Sequence, residues 1–209
     1  MNRSEKFWDK LAKKYSQMPI RDEENYQKKL AETQSYFTPD SRILEFGCGT
    51  GSTAILHAPH VSHIDAVDIS ENMINIGRAR AEEANIENVT FHHGALEQLN
   101  LDASSMDAVL GLNVVHLLPD RKAVLDETFR TLKPGGVFVT STVCLGNSIY
   151  GLIKWIAPIG KLLGFLPDIH VMKVAELNRE LEQAGFTIEN QWQHGPKGIS
   201  VFTVAKKAE

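Results

Sequence analysis

The 209-residue sequence predicts an α/β fold built on a mainly parallel sheet covered on both faces. Three observations carry that prediction. From residue 42 onward, short apolar runs of strand length alternate with helical segments. The run Ile43-Leu44-Glu45-Phe46 empties into Gly47-Cys48-Gly49-Thr50-Gly51, and Ser52-Thr53-Ala54-Ile55-Leu56 then starts a helix. Such a strand–turn–helix unit opens a ligand site at a strand's carboxyl end. Finally, the runs at 186–192 and 199–205 follow each other with no helix between, which predicts an edge hairpin.

Two helices come before the alternating region. Phe7, Leu11 and Tyr15 stand at helical spacing within residues 4–17, with Trp8 and Ala12 beside them. A second helix is expected over 22–37, bracketed by Pro19 and Pro39. Strands follow at 42–46, 63–68, 89–92, 107–112, 136–142, 186–192 and 199–205. The intervening helices fall at 52–58, 70–84, 120–131 and 173–184. Lys133-Pro134-Gly135-Gly136 reads as a turn ahead of the fifth strand, because proline fixes φ and glycine accepts a positive one. Asp107 opens the fourth strand and reads as structural.

Length suits one domain over residues 1–209, with cap helices in 1–38 and an apolar lid insertion in 145–172. In that insertion Ile149, Leu152, Ile153 and Ile156 make one helical stripe. Lys154, Pro158 and Lys161 interrupt it, so it falls short of the roughly 20 apolar residues a bilayer span needs. A pocket lid, contact with a membrane surface, or a dimer face are its candidate uses, and oligomeric state stays open. Lys+Arg 22 against Asp+Glu 26 leaves a net charge of −4, which weighs against a nucleic-acid partner. Cys48 and Cys144 have neither metal-ligand spacing nor a disulfide pattern. His57, His60 and His63 lack the carboxylates or cysteines of a zinc site, so no metal is expected. The charged N-terminus has no apolar core and does not read as a secretory signal, which makes the cytoplasm the expected location.

Spacing within the glycine loop selects among ligands. A dinucleotide fingerprint counted from Gly47 needs glycine at Ser52, but the third glycine comes one residue early, at Gly51. Asp68 ends the second strand, where an acid can accept hydrogen bonds from ribose hydroxyls. These two features together point to a nucleoside.

Glu45-Phe46-Gly47-Cys48-Gly49-Thr50-Gly51 resembles the first motif of class I S-adenosylmethionine-dependent methyltransferases, of the small-molecule or lipid kind related to methyltransferase types 11 and 25. Asp68, the run Asp107 to Leu118 and the Lys133-Pro134-Gly135-Gly136 turn are similar to later motifs of the same family. The resemblance implies a seven-stranded Rossmann-like, doubly wound sheet of order 3-2-1-4-5-7-6 with strand 7 antiparallel. It implies S-adenosylmethionine as cofactor and S-adenosylhomocysteine as product. By the same resemblance, Glu45, Gly47, Cys48, Gly49 and Gly51 belong to the cofactor site. Ile69 and Met73 would flank the adenine, although Met73 reads nearly as well as core. Asn113 would face the methionine part.

One departure stands out. Related enzymes often read Gly-Asp-Ala-Glu after the third strand, with the aspartate near the adenine amino group. Here the sequence is Gly94-Ala95-Leu96-Glu97, which leaves the backbone of Ala95 and Leu96 to meet the base.

A base is needed only if the acceptor must lose a proton. His116 and Tyr15 are the candidates near the expected pocket, with Tyr26 and His170 behind them. For both His116 and Tyr15 a structural role stays open beside the catalytic one. The expected activity is methyl transfer to a small, hydrophobic or lipid-like acceptor. A non-catalytic S-adenosylmethionine binder is the alternative, and an NAD-dependent oxidoreductase ranks below it.

Overall fold

The computed structural model describes residues 3–20, 22–147 and 169–209. Helix α1 (Arg3–Ser16) and helix α2 (Glu23–Gln34) come first. The Asp22 side chain caps α2 by accepting the Asn25 N–H. Then come β1 (Arg42–Phe46), α3 (Ser52–His57), β2 (His63–Asp68), α4 (Glu71–Glu83), β3 (Val89–His93) and β4 (Met106–Leu112). Helix α5 (Arg121–Thr131), β5 (Leu132–Val143), α6 (Val174–Gln183), β6 (Phe186–His194) and β7 (Ser200–Lys207) complete the described elements.

The seven strands form one sheet in the order β3-β2-β1-β4-β5-β7-β6. β7 is antiparallel to both β5 and β6, and the other pairings are parallel. β5 and β6 therefore point the same way as β1, β2, β3 and β4. The order expected from the resemblance is the one found. The order in which the chain adds strands reverses at the neighbours β1 and β4, and a crevice forms at the carboxyl ends of such a switch point.

Each face of the sheet buries its own apolar layer. Ile43, Ile64, Leu110, Val139 and Phe202 pack with Ala54 of α3 and Ile74 of α4 on one side. Leu44, Val109 and Phe138 pack with Leu125 of α5 and Leu177 of α6 on the other. Strands buried on both faces explain the near-continuous apolar runs of the sequence. Full burial of side chains such as Leu44 and Phe138 contributes about 1.5–3 kcal/mol each.

Asp107 staples the amino-terminal edge of the sheet. Its carboxylate accepts the Arg42 N–H at 2.8 Å and the Lys133 ammonium at 2.8 Å, tying β1, β4 and β5 together. The Lys133-Pro134-Gly135-Gly136 segment differs from the expected turn. It lies inside β5, which begins at Leu132 opposite Met106; the next pair is Ala108 with Val137, so three extra β5 residues bulge out of register. Gly135, at φ +76°, takes the left-handed conformation that this irregularity requires.

Of the lid expected over 145–172, residues 148–168, including the stripe Ile149, Leu152, Ile153 and Ile156, lie outside the described residues. The flanks are anchored: the Gly146 N–H donates to the Met172 carbonyl at 2.9 Å, and the His170 N–H to the His116 carbonyl at 2.8 Å. Among the described residues, no helix is long and apolar enough to cross a membrane.

Candidate functional site

A cleft of about 260 Å³ opens at the carboxyl ends of β1, β2 and β4 and is roofed by α1. The loop after β1 forms its floor. Gly47 has φ +63°, and a Cβ there would stand 2.5 Å from Val114 Cγ2, so only glycine fits. The Gly49 N–H donates to Asp68 Oδ2 at 2.9 Å, and the Ser70 N–H to Asp68 Oδ1 at 2.8 Å. One carboxylate thus joins the glycine loop to the start of α4, and its remaining lone pairs face the cleft it lines. Burial raises the Asp68 pKa, against the lowering effect of those two hydrogen bonds.

Helix α4 is also where the roof is fastened. Ser70 accepts the Met73 N–H at 3.2 Å as N-cap and donates to Asp9 Oδ1 at 2.6 Å. The same Asp9 oxygen accepts the Asn72 N–H at 3.1 Å. Farther along α4, the Arg80 guanidinium donates to Thr50 Oγ1 at 2.8 Å, to Ser52 Oγ at 2.9 Å and to the Ser16 carbonyl at 2.6 Å. Asp9 therefore holds the middle of α1, and Arg80 its carboxyl end, over the cleft, with Trp8 and Tyr15 in its wall.

Not every residue expected at the cofactor reaches the cleft. Gly47, Gly49, Asp68, Ile69 and Met73 line it, as do Ala95, Leu96 and Asn113. Cys48 and Gly51 do not. The Cys48 N–H is used by the Val67 carbonyl at 3.1 Å, and its thiol is buried in the layer beside Ile43. Gly51 begins α3 at φ +71°, with Phe91 where a Cβ would go, so its role is to let α3 pack. Glu45 also lies outside the lining, 3% exposed beneath the loop. Its Oε2 is buried without a hydrogen-bond partner, and burial together with the nearby Asp68 charge pushes its pKa up to about 8.

The two candidate bases have different surroundings. Tyr15 is 43% exposed and lies 3.8 Å from where a Gly49 Cβ would be. Its pKa is raised, first by desolvation and then by the charges of Asp68 and Glu45. His116 is outside the cleft lining. Its Nδ1 accepts the Val143 N–H at 3.5 Å, and burial, with His170, lowers its pKa to about 4, which keeps it neutral. The expectation for His116 came from its place just after the fourth strand; the structure buries it between Val143 and His170 instead.

Charge decides what the cleft can hold. Asp68, Glu97 and Asp120 line it, while no Lys or Arg does among the described residues. A pyrophosphate would find no cation there. A nucleoside carrying sulfonium and ammonium charges would find carboxylates, with Trp8, Ile69, Met73 and Leu96 as apolar surface for a base. The orphaned Glu45 oxygen and the doubly held Asp68 fit S-adenosylmethionine. Sheet order, glycine loop and acidic cleft together define a class I nucleoside-binding α/β domain.

Residues 43–136 match the family described as "Methyltransferase domain". Over that stretch, somewhat less than half of its length, the chain is similar to this family. It is 33% identical over 119 residues to a demethylmenaquinone methyltransferase of Listeria welshimeri, covering 55% of this chain and 48% of that protein. An arsenite methyltransferase of Halobacterium salinarum is 33% identical over 108 residues, covering 50% of this chain and 28% of the relative. The chain thus spans half or less of the length of these two curated relatives. The fold is shared with a geranyl diphosphate C-methyltransferase from Streptomyces coelicolor, solved with S-adenosylhomocysteine. That match has a TM-score of 0.73 at 18% identity, covering 89% of this chain and 79% of the other.

Proposed function

We propose that this chain transfers the methyl group of S-adenosylmethionine to a small, hydrophobic acceptor by in-line displacement. The observation that carries the proposal is the acidic cleft, lined by no Lys or Arg among the described residues, near a buried Glu45 carboxyl whose Oε2 has no hydrogen-bond partner. The bound cofactor supplies a methyl group on sulfur that is already activated, so the chain's own task is mainly positioning and exclusion of water. Asp68 would accept the ribose hydroxyls while Gly49 and Ser70 keep its carboxylate from turning away. The backbone of Ala95 and Leu96 would meet the base edge, the site where an aspartate side chain is missing. Asn113, just past β4 at φ +58° with its N–H donated to the Ser141 carbonyl at 2.7 Å, would face the methionine end of the cofactor.

The acceptor would lie beyond Asn113, where Leu112, Val114, Leu117 and Leu118 present an apolar wall. Support for a small molecule comes from the relatives, whose names give a quinone precursor and arsenite as acceptors. The test is a transfer screen from labelled S-adenosylmethionine over lipid amines, phenols, thiols and carboxylates. At least one acceptor class should gain label with formation of S-adenosylhomocysteine in equal amount. Cofactor binding with no labelled product from any class would instead indicate a non-catalytic binder.

A further inference from the structure

Helix α1 has two faces with different company. Its inner face roofs the cleft, with Ala12 buried and Trp8 and Tyr15 in the wall. Its outer face repeats one charge. Arg3, Lys6, Lys10, Lys13 and Lys14 recur at steps of three or four residues, which sets them along one side of the helix, and all are exposed. The acids of α1 are engaged elsewhere. Asp9 is held by Ser70 and Asn72 at the start of α4, and Glu5 lies 3.8 Å from His93 of β3. Among the described residues, none of the five cations has a carboxylate within ion-pair distance. A chain of net charge −4 thus keeps an unpaired positive stripe on one helix.

Exposed apolar side chains adjoin the carboxyl end of the stripe. Met18 and Ile20, between α1 and α2, are 46% and 49% exposed. Leu56 of α3 is 45% exposed and lies one turn beyond Ser52. Arg80 joins the Ser52 hydroxyl to the Ser16 carbonyl, which brings α3 beside the end of α1. Single exposed apolar residues are ordinary; these gather where the stripe ends. Tyr15 links the patch to the cleft, since it lines the cleft while half-exposed. Asp22, Glu23 and Glu24, at the opening of α2, bound the patch beyond Ile20.

We propose that the outer face of α1, with Met18, Ile20 and Leu56, docks the protein on the surface of an anionic lipid bilayer. The ammonium and guanidinium groups meet lipid phosphates, and the three apolar side chains enter the headgroup boundary. The apolar face of α1 is turned to the cleft, so the helix meets the bilayer by its charged side. Attachment is therefore mainly electrostatic, reversible and sensitive to salt. A nucleic acid would match the charges, but it gives Met18, Ile20 and Leu56 no apolar layer to enter, and the net charge of the chain opposes it. Docking places the cleft rim at Tyr15 against the phase in which an apolar acceptor dissolves; that consequence, unlike the docking itself, rests on the methyltransferase reading.

The experiment is co-sedimentation of the full chain with vesicles of phosphatidylcholine, alone or mixed in equal parts with phosphatidylglycerol. Binding should be strong to the mixed vesicles and weak to phosphatidylcholine, and should fall steeply as salt is raised. Lys6→Gln, Lys10→Gln and Lys14→Gln combined should weaken it about 100-fold, at about fivefold per charge near an anionic surface. The same three positions changed to Arg should bind within about twofold of the unsubstituted protein. Met18→Ser with Ile20→Ser should weaken binding about tenfold, leaving a remainder that salt abolishes. The thermal unfolding midpoint and S-adenosylhomocysteine affinity should not change in any variant, since none of these side chains lines the cleft. Equal binding to both vesicles, binding to neither, or undiminished binding of the Gln variant would overturn the proposal. So would tighter binding to duplex DNA than to the mixed vesicles at equal salt, which would assign the stripe to nucleic acid. Vesicle binding requires neither cofactor nor acceptor, so a transfer screen without product leaves the docking result intact, and the two readings fail separately.

Discussion

Replacing Asp68 by alanine should weaken S-adenosylhomocysteine binding by two orders of magnitude or more. Two hydrogen bonds from ribose hydroxyls to a carboxylate would be lost, each of a kind that contributes about 1.5–3 kcal/mol. The substitution also frees the Gly49 and Ser70 N–H groups that now hold Oδ2 and Oδ1. Loosening the loop and the start of α4 adds to the loss, because binding must then order both. Asp68→Asn separates the two effects. An asparagine can keep one N–H contact and one ribose contact, so it should fall between wild type and alanine in calorimetric titration. Equal affinity in all three proteins would remove Asp68 from the site.

Glu45 should make cofactor binding pH-dependent. With its pKa near 8, its carboxyl is mostly protonated at pH 7 when the cleft is empty of cations. An ammonium and a sulfonium placed over the loop favour the carboxylate, so binding at pH 7 should release roughly one proton. Affinity should rise from pH 6 to about 8 and level off above. For the protein alone the sign is opposite. The folded pKa is raised above the ordinary carboxyl value of 4.5, so Glu45 contributes most to stability below that value. That contribution is lost as pH rises toward 8. Titrations in buffers of different ionisation enthalpy count the protons released. Glu45→Gln should flatten the affinity profile and weaken binding at pH 8 about 100-fold, consistent with removing one partner of a buried charge pair. A pH-independent affinity in the unsubstituted protein would contradict the assignment.

Much of the architecture was legible because strands buried on both faces write themselves as apolar runs. Ile43 to Phe46 and Met106 to Leu112 were placed to within a residue for that reason. The start of β5 was not, since Lys133-Pro134-Gly135-Gly136 has turn chemistry and the sheet absorbs it as a bulge against Met106 and Ala108. Glycine spacing marked the loop but could not distinguish Gly47, against Val114 in the cleft floor, from Gly51, packed on Phe91. The clamp on α1 left no periodic signal. Asp9 and Arg80 are polar residues on exposed helix faces in sequence terms, and only the fold brings them to Ser70 and Ser16. The contact between His194 and Ser141 left no local signal either. The two are 53 residues apart, and the pairing through Ser200 that aligns them depends on the β7 register. His116 drew attention by lying next to a strand end, where proximity in sequence stood in for proximity to the cleft.

The acidic cleft should bind S-adenosylmethionine and its product rather than a dinucleotide. Thermal unfolding with S-adenosylhomocysteine or NADH, each in large excess, tests it most directly. A ligand at about 100 times its Kd stabilises the folded state by about 2.7 kcal/mol. For a domain of this size that corresponds to a Tm rise of about 5–10 °C. S-adenosylhomocysteine should give that rise and NADH should give none. A rise with NADH and none with S-adenosylhomocysteine would contradict the assignment of the cleft.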